Sequence, residues 1–275
     1  MSDADGAPGD VGRVATQSFG TIVVVGGGCY GSYYVRQLTR ARRARALTWT
    51  RLLVVDRDPD CRVAAEPRNA GEAEELGLRV CPSEWKAFFC DYFARAEADR
   101  DGCRRDAIVP SPLMPHLMFE WLLERARARW PDRAVEARPL ARAPEVPWQR
   151  AAPGGTHYVS FAQWTCPINC VEPRLCPHTR GPRSWSLPQA ARAYVQEERA
   201  RGQRLAGPVI FHCVHRAYGV GMFDTRDVIA ASDFVLSSAE DSSADILVGT
   251  VSHCHGALDR LVIAAPIAGS TTMPR

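Results

Sequence analysis

The sequence has almost no lysine and no long apolar run, and each absence narrows the classes of protein that it can encode. Lys86 is the single lysine among 34 basic residues, and the rest are arginine, a bias typical of GC-rich coding. No apolar stretch approaches the roughly 20 residues that cross a bilayer. A net charge of +3 is too small to indicate nucleic-acid binding. We therefore expect no membrane and no nucleic acid among the partners.

The N-terminus lacks the basic start and the apolar core of a secretory signal. We therefore interpret residues 1–18 as a disordered tail and expect a cytoplasmic protein. No serine has a G-x-S-x-G context, so serine hydrolase chemistry finds no support. Ten cysteines in a cytoplasmic chain favour metal binding or buried thiols over disulfides.

A glycine-rich segment, GGGCYGS, follows the apolar strand TIVVV and precedes a helical pattern. Gly26, Gly28 and Gly31 fill the G-x-G-x-x-G spacing in the strand–turn–helix context that a dinucleotide-binding loop needs. A second apolar strand, LLVVD, ends in Asp56, a ribose-binding candidate. The predicted nucleotide-binding residues are Gly26, Gly27, Gly28, Cys29, Tyr30, Gly31, Asp56 and Arg57.

These motifs resemble the Rossmann dinucleotide-binding superfamily. The form VVVGGGCYGS is most similar to siroheme-synthase dehydrogenase domains and to nucleotide-binding domains of potassium-channel regulators. The resemblance covers the first half of the chain and implies NAD or NADP as cofactor. Asp56 favours a free 2′-hydroxyl and therefore NAD, whereas Arg57 leaves NADP open. Asp56 lies 25 residues beyond Gly31, where about 20 is usual.

Strand patterns alternate with helical patterns along the whole chain, interrupted by a proline-rich segment near residues 139–155. We predict an α/β fold with a doubly wound, mostly parallel sheet. Residues 19–140 would form a Rossmann nucleotide-binding domain. Residues 155–275 would form a second α/β domain with a cysteine-rich metal loop.

Cysteines and histidines cluster just after three predicted strands of the second half. The segment TCPINCVEPRLCPHT comes shortly after HYVSFA. HCVH follows PVIF, and HCHG follows DILVGTVS. If the three strands are parallel, their carboxyl ends lie at one edge of the sheet. The preferred ligand set is Cys166, Cys170, Cys176 and Cys254, and the less favoured ligands are His178, Cys213, His253 and His255.

Thiolates and imidazoles at this density suit a soft or borderline metal. Cys166 and Cys176 precede prolines, as in iron–sulfur loops, but the spacing matches neither ferredoxin pattern nor the paired C-x-x-C of a zinc ribbon. An iron–sulfur cluster, zinc, and buried thiols without metal all stay open. The scattered Cys29, Cys61, Cys81, Cys90 and Cys103 are interpreted mostly as buried hydrophobic residues.

The first functional hypothesis is an NAD(P)-linked oxidoreductase whose metal site transfers electrons or polarises a small-molecule substrate. The alternatives are a non-enzymatic nucleotide or redox sensor with a protein partner, and a zinc-stabilised α/β protein without catalysis. A homo-oligomer is compatible with each. Weaker site candidates are His116, Glu172, Arg174, His212, His215 and Arg216, for which a structural role is the ordinary reading.

Overall fold

The computed structural model describes residues 16–67, 70–167 and 170–266. The first half contains β1 (Gln17–Val25), α1 (Cys29–Arg43), β2 (Leu47–Asp56), α2 (Arg62–Ala65), α3 (Ala70–Glu75), β3 (Leu78–Pro82), α4 (Trp85–Ala98), β4 (Ala107–Val109) and α5 (Leu117–Arg129). The second half contains β5 (Val135–Arg138), β6 (Trp148–Ala151), β7 (His157–Ser160), α6 (Leu187–Ala200), β8 (Leu205–His212), β9 (Val214–Ala217), β10 (Val220–Asp224), α7 (Thr225–Ala239), β11 (Ala244–Val251) and β12 (His255–Ile263).

The first sheet has the strand order β3-β2-β1-β4-β10-β9. Strands β1 to β4 are parallel, and Val24 of β1 pairs with Val54 on one side and Val109 on the other. The sheet is completed by the antiparallel hairpin β9–β10 from the second half. Tyr218 and Gly219, which both have positive φ, form its turn, as two-residue hairpin turns require.

The second sheet has the strand order β6-β7-β12-β11-β8, and β5 pairs with β12. Its pairs are antiparallel except β11 with β8. The predicted α/β class is confirmed, but both sheets are mixed. The prediction of a mostly parallel second half is wrong because it omitted β12, which folds back beside β11 as a hairpin.

Helices and sheets alternate in five layers, because both faces of each sheet are apolar. In β1, Ile22 and Val24 pack against α1, whereas Val23 and Val25 face the opposite side, a period of two. Helices α4, α5 and α7 lie between the two sheets and share one core with both. Helix α6 covers the outer face of the second sheet.

The exchange of strands between the halves affects the predicted division of the chain. Strands β9 and β10 follow residue 155 but belong to the first sheet, while β5 precedes residue 140 and belongs to the second. The predicted domain bounds stay a prediction, and most of the predicted tail lies outside the described residues. No helix in the described ranges is long and apolar enough to cross a membrane.

Candidate functional site

The glycine loop lies between β1 and α1, as the sequence predicted, and each glycine meets a different steric demand. Gly26 has a φ of +86°, and its N–H donates to the carbonyl of Val55 at 2.8 Å. A Cβ at Gly31 would lie 1.8 Å from the Gly26 carbonyl oxygen, so only glycine allows this contact. A Cβ at Gly28 would meet no described atom within 4 Å. Space for a ligand therefore lies beside Gly28.

The start of α1 has the features of an anion site. Gly28 is its N-cap, and in this described helix no side chain caps the first turn and no acidic residue lies in it. Free N–H groups and the positive end of the helix dipole favour a phosphate there. The Asp56 carboxylate accepts hydrogen bonds from the N–H groups of Gly27, at 2.6 Å, and Asp58, at 3.0 Å. Asp56 therefore borders the loop directly.

The other residues predicted around the loop are accessible. Cys29 and Tyr30 are exposed at the start of α1, and Arg57 is exposed after β2. Cys29 was interpreted as buried, and its exposure contradicts this interpretation, as does that of Cys90. Cys61 and Cys103 are buried, as predicted.

The three cysteine-bearing strand ends meet at one edge of the second sheet. Strands β7 and β11 are both antiparallel to β12, so they point in the same direction, and β8 is parallel to β11. Backbone hydrogen bonds join the ends: the Phe161 N–H donates to the Cys254 carbonyl, and the Cys213 N–H to the Val251 carbonyl, both at 2.8 Å. The predicted convergence is therefore present, although β12 separates β7 from β11.

Glu172 fixes the cysteine loop to the β11–β12 turn. Its buried carboxylate accepts hydrogen bonds from the N–H groups of His253, at 3.1 Å, and Cys254, at 3.2 Å. The Nδ1 atom of His215 lies 3.4 Å from the same carboxylate. Burial alone would raise the pKa of Glu172, but the neighbouring His215, Ser252 and backbone N–H of His253 hold this pKa well below its usual range. Glu172 is an ionised brace, the structural role considered for it from the sequence.

Two of the predicted ligand thiols accept hydrogen bonds from N–H groups. The Cys170 Sγ accepts from the Glu172 N–H at 3.4 Å, and the Cys254 Sγ accepts from the Trp185 indole N–H at 3.3 Å. The backbone N–H of Thr179 lowers the pKa of Cys176. Burial raises the pKa of Cys166, and so do the Cys170 and Cys176 thiols.

The predicted ligands do not form a ready-made metal centre. Within the described ranges, no three His, Cys, Asp or Glu side chains are placed to hold an ion. The donor chemistry nevertheless fits a soft metal, because thiols that accept N–H donors are the ligands that iron–sulfur and zinc sites use. Burial raises the pKa of Cys254 to about 12, so a metal would have to displace its proton.

The histidine candidates are mostly engaged with neighbouring side chains. His178 stacks on Trp164 with a centroid distance of 4.4 Å, and His212 meets His253 edge-on at 4.7 Å. The Nε2 atom of His116 lies 3.3 Å from a Glu120 carboxylate oxygen. Among the weaker candidates, Arg216 pairs with Asp224 at 2.5 Å. These contacts support the structural readings of His116 and Arg216.

One cleft of about 510 Å³ connects helix α1 to the cysteine edge. Tyr30 and Tyr34 line it on the side of α1, immediately after the glycine loop. Burial and the nearby Cys213 raise the pKa of Tyr34 to about 12. The opposite wall of the cleft includes Cys166, Cys170, Glu172, Cys213, His215, Cys254 and His255. A larger cavity of about 750 Å³ lies between β3 and α4, and these cysteines do not line it.

Aromatic residues of the cleft were missed by the sequence reasoning. Trp148 on β6, Tyr158 on β7 and Trp164 in the following loop line it. Trp148 and Tyr158 belong to short strands in or beside the proline-rich segment, which was interpreted as a boundary. The available signal was an aromatic residue in each of two neighbouring strands, Trp148 in WQRA and Tyr158 in HYVS.

A protein-family model matches residues 118–264, which is more than half of the chain. The model is named AF_1314_C and is described as an uncharacterized protein, C-terminal domain, and the chain belongs to this family. The match runs from α5 to the end of β12 and therefore includes the cysteine edge but not the glycine loop. Neither the curated proteins nor the solved structures contain a significant match.

Proposed function

We propose that the chain is an NAD(P)-linked oxidoreductase whose first half binds the dinucleotide in the Rossmann manner. The geometry of Gly26, Gly28 and Gly31, the uncapped start of α1 and the adjacent Asp56 support the nucleotide site. The parallel order β3-β2-β1-β4 is compatible with this assignment. A cytoplasmic location, with its reduced thiols, is part of the proposal.

The observation that carries the proposal is the shared cleft. A nucleotide bound at the glycine loop would start beside Tyr30, and thiols from three strand ends lie across the same cleft. An iron–sulfur cluster bound there would supply one-electron transfer, and zinc would instead supply polarisation of a substrate. Cys166, Cys170 and Cys254, which line the cleft, would hold the group together with Cys176, which does not line it, and Glu172 would keep the Cys254 turn in place.

The nucleotide half of the proposal is tested by calorimetry with NAD and NADP. Gly28→Val is expected to reduce affinity by more than about tenfold, because the side chain would enter the space for the pyrophosphate. Gly154→Val is the matched control, since a Cβ there also meets no described atom within 4 Å. Unchanged affinity in Gly28→Val would remove the assignment. Tighter binding of NADP than of NAD would indicate that Arg57, and not Asp56, sets the preference between the two nucleotides.

The metal half is tested by metal analysis of protein isolated without oxygen. Cys254→Ser and Cys170→Ser are expected to lose metal to a similar extent, because both thiols border the cleft. Cys61→Ser and Cys103→Ser are the controls, since both are buried in the first half. Metal content that is zero in the wild type, or unaffected by Cys254→Ser, would eliminate the four-cysteine site.

A redox sensor without turnover is the second candidate, and the Glu172 contacts favour it. They connect the cysteine loop to the β11–β12 turn, so a change at the thiols would alter the position of a neighbouring surface turn. Consumption of reduced nucleotide with an artificial electron acceptor supports the enzyme. Binding without consumption supports the sensor.

A further inference from the structure

The cleft between α1 and the second sheet is lined by aromatic side chains, of which Tyr34 also packs against the core. Five rings from four separate segments line it, namely Tyr30, Tyr34, Trp148, Tyr158 and Trp164. Tyr30 is 37% exposed and Trp148 is 43% exposed. Large rings left accessible together around one concave site are typical of ligand-binding surfaces.

The same cleft lacks cationic side chains, which is notable in a chain so rich in arginine. None of its lining residues in the described ranges is lysine or arginine. Its buried carboxylate, Glu172, is already engaged by two backbone N–H groups. An anionic group in the cleft would meet no arginine or lysine among its described lining residues, and His215, which lines it, already faces the Glu172 carboxylate at 3.4 Å.

We propose that this cleft binds an uncharged, planar quinone ring as the substrate of the proposed oxidoreductase. The inference rests on that proposed function. A volume of about 510 Å³ is in the usual range for small-molecule sites. Aromatic faces stack on any planar ring, and the apolar edges of prolines such as Pro112 and Pro167 extend the surface.

A quinone satisfies the chemistry of the proposed reaction. Its ring would take a hydride from the reduced nicotinamide and a proton from solvent, which leaves oxidised nucleotide and a hydroquinone. The hydride carries two electrons and one proton, so the exchange balances without a further oxidant. Neither the quinone nor its product carries a charge that the cleft would have to pair.

The charge preference is tested with two matched probes, naphthalene-2-carboxamide and naphthalene-2-carboxylate. They share one ring system and differ in charge. Calorimetry on the full chain is expected to show at least about tenfold tighter binding of the amide, because the carboxylate would be desolvated beside Glu172. Equal affinities, or tighter binding of the carboxylate, would overturn the proposal.

The aromatic contact is tested with Trp148→Ala, Trp148→Phe and Phe234→Ala. Trp148→Ala is expected to weaken amide binding several-fold, and Trp148→Phe to restore most of it. Phe234 is 39% exposed on α7 and does not line the cleft, so Phe234→Ala should bind as the wild type does. Equal effects of Trp148→Ala and Phe234→Ala would refute the site.

NAD affinity measured on the same samples separates the two proposals. Retained amide binding with no NAD binding would remove the nucleotide function and leave the ring site intact. Retained NAD binding with no amide binding would remove the ring site and leave the nucleotide function intact.

Discussion

Replacing Glu172 by glutamine tests the brace between the cysteine loop and the β11–β12 turn. The side chain keeps its length but loses its charge, and its amide nitrogen cannot accept a hydrogen bond. One of the two backbone N–H groups, of His253 or Cys254, then faces a donor instead of an acceptor. A hydrogen bond to a charged group contributes about 1.5–3 kcal/mol, and the bond that remains is weakened by loss of the charge. We therefore expect a loss of about 3 kcal/mol in the free energy of unfolding at neutral pH.

The effect should depend on pH with a definite sign. The pKa of Glu172 is lowered in the folded state, so its contribution is present above the unfolded pKa of about 4.3 and is lost as pH falls. The difference between wild type and Glu172→Gln should be largest near neutral pH and shrink on acidification. Glu136→Gln serves as the control, because Glu136 is exposed and pairs only at the surface with Arg138.

The assay is urea unfolding of each variant at several pH values. A parallel measurement is thiol titration of the folded protein, which should detect greater accessibility of Cys254 in Glu172→Gln. A difference in stability that does not vary with pH, or a variant as stable as wild type near neutral pH, would refute the brace as described.

Three further predictions concern single positions. Asp259 is buried, and burial raises its pKa to about 6 against the opposing hydrogen bond from Thr156. Because a raised carboxyl pKa costs stability as pH rises, Asp259→Asn should gain about 3 kcal/mol in the free energy of unfolding at about pH 7.5 and nothing near pH 4. Urea unfolding that shows a loss of stability at the higher pH would contradict this sign. Gly31→Ala should destabilise the fold by several kcal/mol, because its methyl group would overlap the Gly26 carbonyl, and a midpoint equal to that of wild type would be incompatible with the loop geometry. Gly71→Ala should instead stabilise by up to about 1 kcal/mol, since it lies in α3 with open space around it, and a clear loss would contradict its helical placement.

The sequence predicted features that depend on local patterns. The turn–helix at Gly26, Gly28 and Gly31 follows from sterics within a few residues. Convergence of the cysteine-bearing ends followed from the common direction of three strands.

The features that the sequence did not reveal depend on long-range contacts. The β11–β12 turn contains neither glycine nor proline, and it is held by Glu172 from about 80 residues earlier in the chain. The charged pair Asp259–Arg260 interrupts the apolar pattern of β12, and Arg260 is paired with Asp245 on β11. The aromatic cleft combines residues from both halves, which no local pattern connects.

The layer of α4, α5 and α7 determines how far the two sheets can move relative to each other. Phe211 of β8 and Phe223 of β10 meet within this layer with a centroid distance of 5.6 Å, and both are fully buried. Separating the sheets would expose such side chains at about 1.5–3 kcal/mol each. The opposing walls of the cleft are attached to these two sheets, so its width is set by a solid interior. Widening the cleft by separating the sheets would therefore cost burial of these side chains, and we expect ligands to be selected by their fit to its present width.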